Sequence, residues 1–166
     1  MKTLKIKPEQ LERAKNLYSF DELNNSITKG KGNIVGAIGE IVVHDFFKED
    51  YFVNFTSTYN FDMIVDRFKV DVKSKKTTVT PKPYYLCYIP ATSAHQKCDL
   101  YFFTRVKSNL EECYLLGFKD KETFFKESTF YKKGDVEAIS GFVFKADTYA
   151  LPISKLSSFK YSDEQN

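Results

Sequence analysis

Between Tyr59 and Ser74 the chain carries two apolar segments of period two with only Asp66-Arg67 between them, and such a pattern folds as strand, turn, strand. With those two residues at the centre of the turn, cross-strand partners have numbers that sum to a constant. Val65 then opposes Phe68, Met63 opposes Val70, and Asp62 opposes Asp71. Opposed residues share one face of the sheet with Cβ atoms roughly 5 Å apart, and Lys73, two residues beyond Asp71, points to that same face. The hairpin alone therefore predicts two carboxylates and an ammonium in one place.

Carboxylates that close repel each other unless positive charge lies between them. A hard divalent cation resolves the conflict. Mg²⁺ takes oxygen ligands at about 2.0 to 2.1 Å, keeps several waters, and usually borrows one or two carboxylates from the protein and the rest from a phosphate substrate. A lysine beside such an ion can orient a water, help lower its pKa and offset charge growing on phosphorus in the transition state. By itself, Asp71-Val72-Lys73 also describes a solvated strand face with a weak ion pair. In a chain with 22 acids about three acid-x-Lys tripeptides are expected by chance, and this is the one that occurs.

Upstream, Asn33 to Phe47 places Ile34, Val35, Ile38, Ile41, Val42 and Phe46 at three- and four-residue steps, which predicts a helix buried on one side, with Asn33 as its N-cap. Gly36 and Gly39 each cost on the order of 1 kcal/mol in a helix interior, so they predict a close approach of the backbone to a sheet or ligand. Glu40 stands on the same stripe as Gly36 and His44, where it could reach a site built on the following strands.

Gly36-x-x-Gly39-Glu40 on a helix, Asp62 on one strand and Asp71-x-Lys73 on the next, in that order, resemble the PD-(D/E)XK nuclease superfamily. The resemblance spans Asn33 to Lys73 by motif, with Phe61 where the motif has Pro and Asp71 as an Asp rather than a Glu. It implies a restriction-endonuclease-like α/β/α sandwich and a Mg²⁺ site, with Mn²⁺ able to substitute. Asp62, Asp71 and the Val72 carbonyl would hold the ion, Glu40 would contribute directly or through water, and Lys73 would position the attacking water. The implied activity is hydrolysis of DNA to 5′-phosphate and 3′-hydroxyl ends, by a small stand-alone enzyme of phage or mobile-element type. Two other readings fit the same residues: a catalytically silent nucleic-acid-binding module, and an unrelated α/β protein in which the charges form a surface network.

The 166 residues fit one domain, and 42% hydrophobic content with 16 Phe and 11 Tyr supplies its core. We divide it into an N-terminal helix and basic loop (1–32), a core (33–118) and a C-terminal extension packed on that core (119–166). There is no long apolar run and no signal-peptide pattern at the start, so we expect a cytoplasmic protein, in the host cell if phage-encoded, without membrane partners. Cys87, Cys98 and Cys113 are odd in number and lack metal-site spacing, which predicts free buried thiols.

A net charge of +3 permits nucleic-acid binding. The lysines that flank the proposed site, Lys29 and Lys31 before the Glu40 helix and Lys75 and Lys76 after the hairpin, could neutralise DNA phosphates without reading sequence; solvated lysines that keep the domain soluble fit equally. A homodimer is expected on duplex DNA, because one small core embraces little of it.

Along the rest of the chain, the pattern predicts a helix from Pro8 to about Leu23 and a loop from Asn24 to Gly32. Strands are predicted at Tyr51–Phe55, Leu100–Val106 and Cys113–Phe118, and Tyr84–Ile89 reads as a short strand or a lip of the site. With the hairpin these make a mixed sheet of about five strands. Beyond it we expect a helix over Thr123–Lys133, a strand within Gly141–Tyr149 and a short closing helix over Ile153–Phe159. Of the polar loop before Leu100, His95, Gln96 and Lys97 are secondary candidates for contact with DNA, His95 reading best as an ordinary loop histidine; His44 reads as a half-buried helix residue.

Overall fold

A strand covered on both faces must be apolar at successive positions, and the stretch from Leu100 meets that demand best. In the computed structural model, which describes residues 1–23, 34–56 and 58–158 with the side chains of 18–23 excepted, every residue from Tyr101 to Val106 is buried. The elements in chain order are β1 (Lys2–Lys5), α1 (Pro8–Leu23), α2 (Ile34–Lys48), β2 (Val53–Phe55), β3 (Met63–Val65), β4 (Phe68–Thr77), β5 (Leu86–Pro90), β6 (Leu100–Lys107), β7 (Glu112–Asp120), α3 (Lys121–Glu127), β8 (Thr129–Tyr131) and β9 (Thr148–Pro152). Six strands form a mixed sheet in the order β1-β7-β6-β4-β3-β2, and three form a second sheet in the order β5-β9-β8. Only the β4–β6 pair is parallel among the ladders of the large sheet.

The sixth strand corrects the expectation of about five. Lys2-Thr3-Leu4-Lys5 pairs antiparallel with β7, Leu4 opposite Cys113. An edge strand carrying two lysines gives little apolar signal, and charge on an edge discourages further pairing.

Alternation on the central strands divides the interior in two. Val70, Val72, Phe102, Val106, Cys113 and Leu115 face α2 and share a core with Val35, Ile38, Ile41 and Val42. Tyr101, Phe103, Tyr114 and Leu116 face the other way and pack against Cys87, Ile89, Leu151 and Phe124. The outer layer on that side is therefore built from the small sheet and the short helix α3, where a helical layer was expected. Asp120 accepts a hydrogen bond from Thr123 N at 2.8 Å and starts α3 there; the predicted helix over 123–133 ends early and its second half is β8. The strand expected within 141–149 lies instead at β9, and the closing helix is one 3₁₀ turn, Ile153–Lys155.

Gly39 makes the expected close approach. A Cβ there would stand 1.8 Å from Ser74 Oγ and 2.9 Å from Thr104 Oγ1, so α2 touches β4 and β6 backbone-close at this point. Gly36 does not, since a Cβ there would meet nothing within 4 Å. Helix α1 is tied to α2 by Asp45, which accepts from Arg13 Nη1 at 2.8 Å and from Gln10 Nε2 at 2.9 Å. The three cysteines are free and buried, as expected. No described helix is long and apolar enough to cross a membrane.

Candidate functional site

The β3–β4 hairpin has the register read from the sequence: Met63 opposes Val70, Ile64 opposes Lys69 and Val65 opposes Phe68. Asp66 stands in the turn at φ 53, a left-handed conformation that Asp tolerates better than most residues. Its carboxylate also accepts from Phe52 N at 3.1 Å, which fastens the turn to the approach to β2.

The register changes at Asp62. The ladder ends at Met63, and Asp62 N–H donates to Val70 O at 3.0 Å, so two consecutive residues converge on Val70 in the manner of a β-bulge. The bulge redirects the side chain, and Asp62 Oδ2 accepts the Val72 N–H at 2.7 Å. The simple opposition of Asp62 to Asp71 is thus replaced by an Asp62 carboxylate set against the edge of β4. In an extended strand the N–H and C=O of one residue point to the same edge. The Val72 carbonyl accordingly faces the edge on which Asp62 lies.

Asp71 and Lys73 project together from the face of β4 turned away from α2. Lys73 Nζ lies 2.6 Å from Asp71 Oδ2 and donates to Gln96 Oε1 at 3.2 Å. The Gln96 amide in turn donates to Asp71 Oδ1 at 3.3 Å and to Tyr59 O at 3.1 Å. Asp71 is 2% exposed, and its Oδ2, despite the ammonium beside it, receives no well-aligned hydrogen bond. Burial pushes the Asp62 carboxyl up to about 7, with the negative charge of Asp71 adding to the rise and the Val72 N–H and Lys73 opposing it. Burial also raises Asp71, against the pull of Lys73 and Gln96. Burial raises both acids despite the ammonium beside them, so this pocket holds protons that a bound cation would displace.

Gln96 enters the site because β6 runs parallel to β4 with Leu100 beside Val70. The loop that delivers β6 must then end next to Asp71. Asp99 N donates to Lys69 O at 2.8 Å, and Lys69 N donates back to Asp99 Oδ2 at 2.8 Å, while Lys121 Nζ donates to the Gln96 carbonyl. The sequence signalled a polar loop there but not which of its residues turns inward. His95 is exposed.

Glu40 follows Gly39 on α2 and is half-buried. It arises from the face of the sheet opposite Asp71, and among the described residues no three His, Cys, Asp or Glu side chains gather as a ready-made metal group. His44 stacks on Phe55, ring centroids 4.2 Å apart, as an ordinary helix residue would. Lys29 and Lys31 lie outside the described residues. Lys76 is exposed, on the face opposite Lys73, whereas Lys75 is half-buried among aromatic rings. The two lysines therefore do not form one patch.

No protein-family model matches this chain, and no curated protein matches it.

Proposed function

We propose that this chain is a divalent-metal-dependent nuclease of the PD-(D/E)XK type, with a restriction-endonuclease-like core, that hydrolyses phosphodiester bonds in DNA. The observation that carries the reading is the gathering of Asp62, Asp71 and Lys73 where β3 leaves β4, with the Val72 carbonyl on the same edge.

The residues fit a hard cation. Every donor is oxygen, two carboxylates is the number Mg²⁺ commonly takes from a protein, and the buried Asp62 carboxyl is raised in part by the charge of Asp71, a repulsion that a shared cation relieves. Asp62, Asp71 and the Val72 carbonyl would hold Mg²⁺ or Mn²⁺; Glu40, on the other face of the sheet, lies outside this set. When bound, the ion supplies Lewis acidity toward the phosphate and makes water a better nucleophile.

The rest of the chemistry belongs to the side chains. Lys73, held between Asp71 and Gln96, presents an ammonium that can orient the attacking water and counter charge on the phosphoryl oxygens. The water oxygen bonds to phosphorus as the bond to the 3′-oxygen breaks, and that oxygen leaves as a hydroxyl. Gln96 keeps Lys73 and Asp71 in register without titrating. Exposed lysines such as Lys76, together with Lys29 and Lys31, would contact backbone phosphates, giving salt-dependent affinity.

The test is cleavage of plasmid and single-stranded DNA in Mg²⁺, Mn²⁺ and EDTA, beside Asp71→Ala and Lys73→Ala. Metal-dependent cutting that both substitutions abolish supports the enzyme. Binding without cutting, little altered by either substitution, supports a silent binding module instead. We also expect two copies of the chain on duplex DNA, and a strict monomer in the solution mass of the complex would contradict that part.

A further inference from the structure

Lys75 lies on the Asp71 face of β4, two residues beyond Lys73, yet its surroundings are not those of a solvated lysine. Its Nζ is 4.1 Å from the centroid of the Tyr88 ring and 4.9 Å from that of Phe142. Arg105, its neighbour in register on β6, is 7% exposed. One guanidinium nitrogen donates to Leu86 O at 3.0 Å, and Cζ stands 5.7 Å from the Tyr85 ring centroid. Among the described residues neither cation has an ion-pair partner. Burial, reinforced by the charge of Arg105, pushes the Lys75 ammonium down to about 8.

Two like charges placed side by side in a half-dry site repel and lose hydration. Both border an open cavity of about 370 Å³ whose walls include Tyr84, Tyr85, Tyr88 and Phe142. Glu137 also reaches this cavity, but its carboxylate accepts from Ile139 N, Ser140 N and the Ser140 hydroxyl and so braces its own loop. A second cavity of about 250 Å³ is lined by Lys73, Lys75 and Arg105, so it shares walls with the first and one residue with the proposed cutting site.

We propose that the Lys75–Arg105 cavity binds a nucleotide by a terminal phosphate monoester, with the adjoining base against the tyrosine walls. A monoester carries close to two negative charges near neutral pH and three acceptor oxygens, against one charge for an internal diester, so it matches this pair of cations. Aromatic faces stack any base and therefore bind without reading sequence. Lys75 is four residues along the strand from Asp71, about 13 Å at strand rise, a span of a few nucleotides. The identification of that nucleotide as the end of a DNA strand rests on the nuclease reading; the phosphate pocket itself does not.

The test is calorimetric titration of the full chain in EDTA, where no cutting occurs. The probes are one short single-stranded oligonucleotide with a 5′-phosphate, with a 3′-phosphate, or with neither, and thymidine 5′-monophosphate. We expect one phosphorylated end to bind at least tenfold more tightly than the unphosphorylated strand. That preference is lost in Lys75→Met, which keeps the side-chain stem among the rings, and weakened in Tyr84→Ala, a ring 50% exposed; it persists in Asp71→Asn. Binding of the mononucleotide alone, lost in Lys75→Met, supports the pocket and makes a free nucleotide its ligand. Equal binding of all three oligonucleotides with no mononucleotide binding overturns the proposal, as does a preference that survives both pocket substitutions. Because neither Lys75 nor Tyr84 is placed in the cutting machinery, loss of the nuclease reading leaves this result standing, and the reverse holds as well.

Discussion

The carboxylate of Asp62 accepts the backbone N–H of Val72 at 2.7 Å, taking the place that a β3 residue would fill had the hairpin ladder run two pairs further. A side chain has replaced a strand at the edge of β4. The consequence is a notch in the sheet in which Asp62 meets Asp71 and Lys73, and the Val72 carbonyl is left facing the same notch.

Burial of Asp62, with the charge of Asp71 adding to it, makes the metal-free protein pH-dependent. The folded Asp62 carboxyl is raised from 3.8 to about 7, so the folded state holds this proton more tightly than the unfolded chain does. The stability from that proton is complete below pH 3.8 and is lost as pH rises through about 7. In EDTA, the melting temperature should fall between pH 5 and 8 by an amount on the order of several °C, and Asp62→Asn should flatten the slope. Added Mg²⁺ should stabilise more at pH 8 than at pH 5.5, because it competes with the proton. A slope unchanged in Asp62→Asn would show that the acid is not under this strain.

Gln96 ties Lys73, Asp71 and the Tyr59 carbonyl together. Truncation in Gln96→Ala removes one of the two holds on Lys73 and leaves only its ion pair with Asp71; a resulting displacement of about 1 Å can lower a catalysed rate by about 100-fold. The fold should lose only about 1–2 kcal/mol. Single-turnover cleavage beside urea denaturation separates the two effects, and a rate equal to wild type would remove Gln96 from the site.

The two glycines of α2 should respond with opposite signs. Gly36→Ala meets no atom within 4 Å and should stabilise the helix by roughly 0.5–1 kcal/mol. Gly39→Ala places a methyl 1.8 Å from Ser74 Oγ, forces α2 off the sheet and should cost about 1–3 kcal/mol. Ser74→Gly in the Gly39→Ala background should recover part of that loss. Chemical denaturation of the four proteins reads the result, and equal effects at positions 36 and 39 would contradict the packing described.

Much of this was legible in the residues. Period-two alternation flanking Asp66-Arg67 carried the hairpin and its register, and the continuous apolar run at Leu100 carried the doubly covered strand. The bulge at Asp62 was not legible, since nothing in Tyr59-Asn60-Phe61-Asp62 distinguishes a side chain that continues the ladder from one that caps a neighbouring N–H. Gln96 was hidden for another reason: its place beside Asp71 follows from the parallel β4–β6 pairing, a contact across 25 residues of sequence. The strand β1 escaped because its lysines mask a four-residue edge. The short strand read at Tyr84–Ile89 is β5, but its membership of a second sheet escaped, because the strands of that sheet are short and two of them carry proline at an end, at Pro90 and Pro152. Lys75 and Lys76 read as one basic cluster until strand alternation sent them to opposite faces.

The central claim is that Asp62 and Asp71 share one divalent ion, and the most direct measurement is the anomalous diffraction of crystals grown with Mn²⁺. The account predicts a single strong peak between the two carboxylates, with protein oxygens at about 2.1–2.2 Å and a bound water within reach of Lys73. A map at saturating Mn²⁺ with no peak there, or with Lys73 still closed on Asp71 and the ion elsewhere, would contradict it.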